Sequence, residues 1–274
     1  MAYPIGQEYG YRRILLNLNR QYKLLLKKHM SPEVEEMATE ATDVHLVTGQ
    51  IRKDAAGWQD NLRRAMSRIA KDMTVHENKA IKDMLRIGPQ VNEHNKAQWK
   101  KLIRSQYGVD PTKEDPGRYD SLLRNWSRNN SLLIKDIPFK TSYQIAEQTR
   151  EALIKGTNQA DLTQQVYDIM SERTEVTDSR AKLIARDQVA KLNGSLTRDR
   201  QESIGVSGYI WRTVGDERVR DSHDEVDGQF FSWDNPPNET DGNHPGEDYQ
   251  CRCWAEPVLP ELIEYEASLL EEVE

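Results

Sequence analysis

A chain of 274 residues, 36% hydrophobic and 30% charged with a net charge of −7, can bury one sizeable core or two smaller ones. Its mean hydropathy of −0.83 points to long helices with exposed polar faces. Met1–Arg13 has no apolar stretch of the secretory kind, and the longest aliphatic runs, Ile14–Leu16 and Leu24–Leu26, are too short to cross a bilayer, so the expectation is a protein made in a cytoplasm with no membrane contact.

From Tyr11 to His29, the residues Ile14, Leu15, Leu18, Tyr22, Leu25 and Leu26 recur three and four apart, the stripe of an amphipathic helix that His29 closes before Ser31-Pro32 restarts the chain. Val44, Thr48, Ile51, Ala55, Trp58, Leu62, Ala65 and Ile69 then follow the 3.5-residue period of a helix packed along another helix. Gly88-Pro89 is expected to interrupt the next helical stretch, which resumes through Trp99, Leu102 and Ile103 up to a loop over 108–117. A short helix at Leu122, Leu123 and Trp126 follows. Asp136-Ile137-Pro138 reads as a boundary, with Pro138 opening a helix to about Lys155 that Gly156 ends. Further helices are expected over about 159–172, and from a cap at Asp178 or Ser179 through Leu192.

The character changes at Gly205. Tyr209–Val214 alternates like a strand, and Gln229–Trp233 is an aromatic segment able to pair with it. A turn-rich stretch through Asn235-Pro-Pro, Asp241-Gly-Asn and His244-Pro-Gly246 leads to Tyr249–Trp254, and 260–274 reads as an acidic amphipathic helix. The predicted class is therefore α+β: helical over 1–137 and 138–203, with a small strand-containing module at 205–259 and the acidic helix 260–274.

Charge is unevenly distributed. Residues 1–30 carry Arg12, Arg13, Arg20, Lys23, Lys27 and Lys28 against Glu8, whereas 216–274 hold eighteen acids and three arginines. The basic stretch 12–28 could meet DNA or an acidic protein, or simply form a solvated helix face. The acidic end should be repelled by phosphates.

Four residues of the module are good transition-metal ligands: His223, His244, Cys251 and Cys253. Imidazole and thiolate suit Zn2+, and two of each would close a tetrahedral structural site. One residue between the cysteines demands strained geometry for a disulfide, so reduced thiols are expected. The same tight spacing means that Cys251-Arg-Cys253 either ligates from a tight turn or gives one sulfur. The other reading makes the cysteines half-buried small hydrophobes and pairs the histidines with carboxylates.

Trp211-Arg-Thr-Val-Gly-Asp-Glu-Arg-Val-Arg-Asp-Ser-His223, then Asp227-Gly228, His244-Pro-Gly246, Cys251-Arg-Cys253 and Pro257-Val-Leu259, resemble the phage Mu protein F-like family of minor head proteins. The places of the family's motif are held by Trp211, Asp216, Arg218, Arg220, His223, Asp227, Gly228, His244, Pro245, Cys251, Arg252 and Cys253. The resemblance spans about 138–259. It includes the run from Arg180 to Asp187, with Arg186-Asp187-Gln188 where an Arg-Thr-Glu is common. It implies a non-enzymatic head-morphogenesis protein, present in few copies inside the capsid near the portal. Such a protein would act in head assembly, DNA packaging or ejection, with the portal protein, the scaffold or the major capsid protein as partners. Arg218, Arg220 and Arg252 are expected to brace loops by bonding Asp216, Asp221 or Asp227.

Two rival functions rest on single features. Asp216, His223, Asp224 and Glu225 would serve a metal-dependent nuclease or other hydrolase, although no HExxH, nucleophile elbow or phosphate loop accompanies them. An injected DNA-binding effector would rest on the basic first helix alone.

Overall fold

The computed structural model describes residues 1–48, 57–108, 117–155 and 159–259, without the side chains of 40–48, 159 and 176. The described residues are mainly helical up to Glu202 and then form a small three-stranded sheet: α1 Ile5–His29, α2 Ser31–Thr48, α3 Gly57–Met84, α4 Ile87–Tyr107, α5 Asp120–Lys155, α6 Gln159–Glu202, β1 Gly208–Arg212, α7 Asp221–Asp224, β2 Phe230–Ser232 and β3 Trp254–Pro257. The α+β class read from the sequence is what the chain adopts. No helix among the described residues is long and apolar enough to cross a membrane.

Two compact units interleave along the chain. One comprises Tyr11–Leu85 and Ser127–Lys182. Its core takes Leu15, Leu18, Tyr22, Leu25 and Leu26 from the stripe of α1, with Trp58, Leu62, Ala65 and Ile69 from α3, which packs on α2. The long pattern from Val44 to Ile69 is thus shared between two helices. Ile51 and Ala55 lie outside the described residues, as do the side chains of Val44 and Thr48. Within this unit Asn19 and Lys23 reach Asp178 at 2.8 and 2.7 Å.

Two elements depart from expectation, the first through those contacts. Asp178 does not cap a new helix: its carboxylate is taken by Asn19 and Lys23, and α6 runs unbroken for 44 residues. Nor does Pro138 open a helix. It lies inside the 36-residue α5, although an interior proline removes one helical hydrogen bond and costs about 3 kcal/mol. Buried Ile134, Ile137 and Ile145 on either side hold the helix in register, and burial of about 1.5–3 kcal/mol per aliphatic side chain exceeds that cost. The break predicted at Gly88-Pro89 falls slightly earlier, at Leu85-Arg86, and Pro89 sits in the first turn of α4, where a missing N–H is harmless. Gly108 ends α4 in a left-handed conformation, φ 68°. The loop that follows, Gly156 and the acidic helix expected at 260–274 lie outside the described residues.

The second unit comprises Met1–Gly10, Arg86–Trp126 and the chain from Leu183. Here β1 is the central strand, antiparallel to β2 on one side and β3 on the other. Tyr209 and Trp211, on one face of β1, are fully buried with Val226, Trp233 and Ala255. The C-terminal half of α6 supports this small core. Gln201 donates to the Ala255 carbonyl at 2.9 Å, and Trp126 donates to the Gln188 carbonyl at 2.9 Å. At Gly194 the helix has no side chain because a Cβ would stand 2.9 Å from the Pro245 carbonyl oxygen. The His244-Pro-Gly246 loop therefore lies directly on the α6 backbone, where Gly246 takes a φ of 91°.

Candidate metal centre

The centre is assembled by two short segments beside β1. The strand's N–H and C=O at Trp211 pair with Gln229 and Gly228. Asp227 accepts the Thr213 N–H at 2.8 Å, and Gly228 turns with a φ of 78°. Asp227-Gly228 thus closes the connection from β1 to β2, which explains these motif positions structurally. Within that connection the single turn α7 presents His223, 2% exposed, with its ring edge-on to the Trp211 indole at 5.2 Å.

The second segment is the tight turn ahead of the cysteines. Gln250 takes the left-handed conformation, φ 56°, and the Cys251 N–H bonds the Asp248 carbonyl. This turn brings both sulfurs to one place. His223 Nδ1 is 3.6 Å from Cys251 Sγ and 3.4 Å from Cys253 Sγ, and all three donor atoms lie within 4.8 Å of one another. For zinc bonds of roughly 2.3 Å to sulfur and 2.0–2.1 Å to nitrogen at tetrahedral angles, nitrogen and sulfur would stand about 3.6 Å apart. The donor set fits that ion in both type and spacing.

The surroundings favour thiolate. The N–H groups of Gly246 and Cys253 each point at Cys251 Sγ from 3.4 Å. The Cys251 thiol is lowered to about 5, first by the hydrogen bond from Cys253, against burial, and then by His223 and these two amides. Its neighbour is pushed the other way: the Cys253 thiol is raised, chiefly by its bond to Cys251 and by burial. His223 is raised by its bond to Cys251, which outweighs its burial. On the far side of the ring, Asp248 Oδ2 stands 3.3 Å from Nε2, the position from which a carboxylate orients a ligating imidazole.

The arginines of the motif brace this turn. Arg252 grips Asp216 through both terminal nitrogens, and Arg218 reaches the same carboxylate at 3.1 Å. That pairing with Arg252 holds the Asp216 carboxyl well below the usual range. Asp216 was expected to serve in this way; Arg220 differs. It bonds Asp248 at 2.8 Å and the Tyr249 carbonyl at 2.6 Å, and neither Asp221 nor Asp227. The four residues grouped for a hydrolase do not converge either. Asp216 is held by two arginines, His223 faces the sulfurs, and Asp224 and Glu225 are exposed.

His244 does not join the cluster. Its Nδ1 pairs with the Tyr209 hydroxyl at 2.8 Å, its backbone N–H donates to Glu247, and its ring packs on Trp233. Each histidine leans on a different aromatic of β1, and residues two apart on a strand are separated by about 6.6 Å. A His244→Gln variant is accordingly expected to take up as much zinc as the unaltered chain, measured by elemental analysis after loading the purified proteins with the ion. Loss of the ion would restore His244 as a ligand.

In the basic stretch 12–28, Lys23 and Lys28 are engaged by Asp178 and Asp72, whereas Arg13, Arg20 and Lys27 are exposed. Sequence reasoning missed β3 and Asp248. Trp-Ala-Glu-Pro carries little strand signal of its own, and nothing local ties Asp248 to Arg220, 28 residues away.

Residues 143–256 match the family model described as phage Mu protein F like protein. An uncharacterized protein of Haemophilus influenzae is 32% identical over 211 residues, which is 75% of this chain and 46% of that protein. The chain thus spans about half the length of this curated relative. No solved structure matches it.

Proposed function

We propose, from the match of residues 143–256 to the phage Mu protein F-like family, that the chain is a minor head protein of a phage. It acts at the portal, inside the capsid, in head assembly, DNA packaging or ejection. Its C-terminal module is a rigid, metal-locked docking unit with no turnover of its own. The observation that carries this reading is the inward engagement of the motif's polar side chains. Asp216 is clamped by Arg252 and Arg218, Arg220 ties Asp248 to the Tyr249 backbone, and His223 with the two cysteines forms a compact donor set. In this reading Zn2+ is the ion, held by His223 Nδ1 and the sulfurs of Cys251 and Cys253. It supplies a cross-link that a module of few aliphatics lacks. The portal is the direct partner, ahead of scaffold and major capsid protein.

The test pairs elemental analysis of the purified full chain with co-purification against the portal, scaffold and major capsid proteins of the same phage. Near-stoichiometric zinc and retention of the portal support the reading. Absence of the protein from both virions and proheads, or portal retention no greater than that of an unrelated control, would overturn it.

A further inference from the structure

The three donors leave one tetrahedral position unfilled, and structural zinc sites normally close all four whereas three-ligand sites keep an open place for a water or a ligand. The donor residues themselves line a cleft of about 350 Å³, His223, Cys251 and Cys253 standing there together with Arg186, Arg218, Arg220 and Arg252. Four arginines lining one cleft stand out in a chain of net charge −7. No carboxylate is among the lining residues. The acids that bond these arginines, Asp216 and Asp248, account for two of the four charges. A zinc dication is balanced by two thiolates, so the cleft retains an excess of two positive charges. Arg186 Nε is in addition buried without a hydrogen-bond partner, a donor whose desolvation normally costs about 1–3 kcal/mol and calls for an acceptor.

We propose that this cleft binds a dianionic phosphate group, one oxygen of which takes the fourth position on the metal while the guanidinium of Arg186, supported by Arg218, holds the others. The inference rests on the zinc reading above. Phosphate suits the site better than a carboxylate on two counts. Its charge near neutral pH, about −1.5 to −2, matches the excess, and its three acceptor oxygens can serve a metal and two arginine forks at once.

The test uses the full chain loaded with Co2+ in place of zinc, so that the visible bands of the metal report its ligands, titrated with inorganic phosphate and separately with acetate. Phosphate is expected to shift the bands saturably and to bind at least about tenfold more tightly than acetate, a difference of about 1.4 kcal/mol. Arg186→Gln and, should that variant fold poorly, the exposed Arg218→Ala are expected to keep stoichiometric metal and to lose about tenfold in phosphate affinity. Stoichiometric cobalt with bands indifferent to phosphate, or unchanged affinity in a folded Arg186→Gln protein, overturns the proposal and leaves the zinc reading standing. Failure to bind either metal overturns both. A 5′-phosphorylated oligodeoxynucleotide that displaces phosphate, where its 5′-hydroxyl counterpart does not, identifies a nucleic-acid end as the source of the group. If neither displaces it, the source is a free phosphate; both results support the site.

Discussion

Replacing Cys251 by serine is expected to strip the metal from the protein and to loosen its C-terminal module. Serine offers a neutral hydroxyl where the fold presents a thiolate acceptor to two amide N–H groups and one imidazole. With one of three protein ligands gone, metal content should fall from about one ion per chain to near none. In small zinc-dependent folds the ion contributes apparent free energies of ~10–16 kcal/mol at neutral pH. Here the aromatic core around Tyr209 and Trp211 survives to share the task, so a loss on the order of several kcal/mol is the expected scale. Elemental analysis and thermal unfolding followed by tryptophan fluorescence check it. A chelator added to the unaltered protein should reproduce the drop in midpoint, and zinc should restore it. Full metal occupancy in Cys251→Ser, or a midpoint insensitive to the chelator, would sink the metal-locked module.

The second large effect is expected at Trp211. Its indole is completely buried at the centre of the sheet and packs against Tyr209, 6.5 Å away, and against His223. Truncation to alanine removes this side chain and leaves a cavity that the short strands β2 and β3 cannot collapse into, costing about 3–5 kcal/mol. For a protein of this size, that corresponds to a midpoint lowered by roughly 6–20 °C. Because the ring also sets the orientation of His223, zinc affinity should fall together with stability. Trp211→Phe keeps an aromatic face and should recover a large part of both. Equal metal affinity in Trp211→Ala and the unaltered chain, measured by competition with a colorimetric chelator, would show that the indole does not position the ligand.

The parts of the fold legible in the sequence are those in which local pattern and tertiary environment agree. The stripe of α1, apart from Ile14, and Tyr209 and Trp211 of the alternating strand β1 are buried as their periods select. Where the two conflict, packing prevailed: Pro138 and Asp178 carry boundary chemistry but sit inside continuous helices because their neighbours are buried on both sides. The candidate site was legible as chemistry and only partly as geometry. Residue type selected His223, Cys251 and Cys253, and also His244, since composition cannot say which aromatic of β1 a histidine will lean on. The bond between Arg220 and Asp248 depends on how two loops close over each other, which neither loop encodes alone.

The bare backbone at Gly194 has a practical implication for any attempt to excise the end that carries the candidate metal centre. Gly246, whose amide points at the Cys251 sulfur, rests on the main chain of α6, and a glycine within a long helix is itself about 1 kcal/mol less favourable than alanine there. The floor of the knuckle is therefore a helix that precedes the strands. A fragment cut at the glycine-rich junction near residue 205 would leave its cysteine turn without a seat, however complete its motif looked on paper.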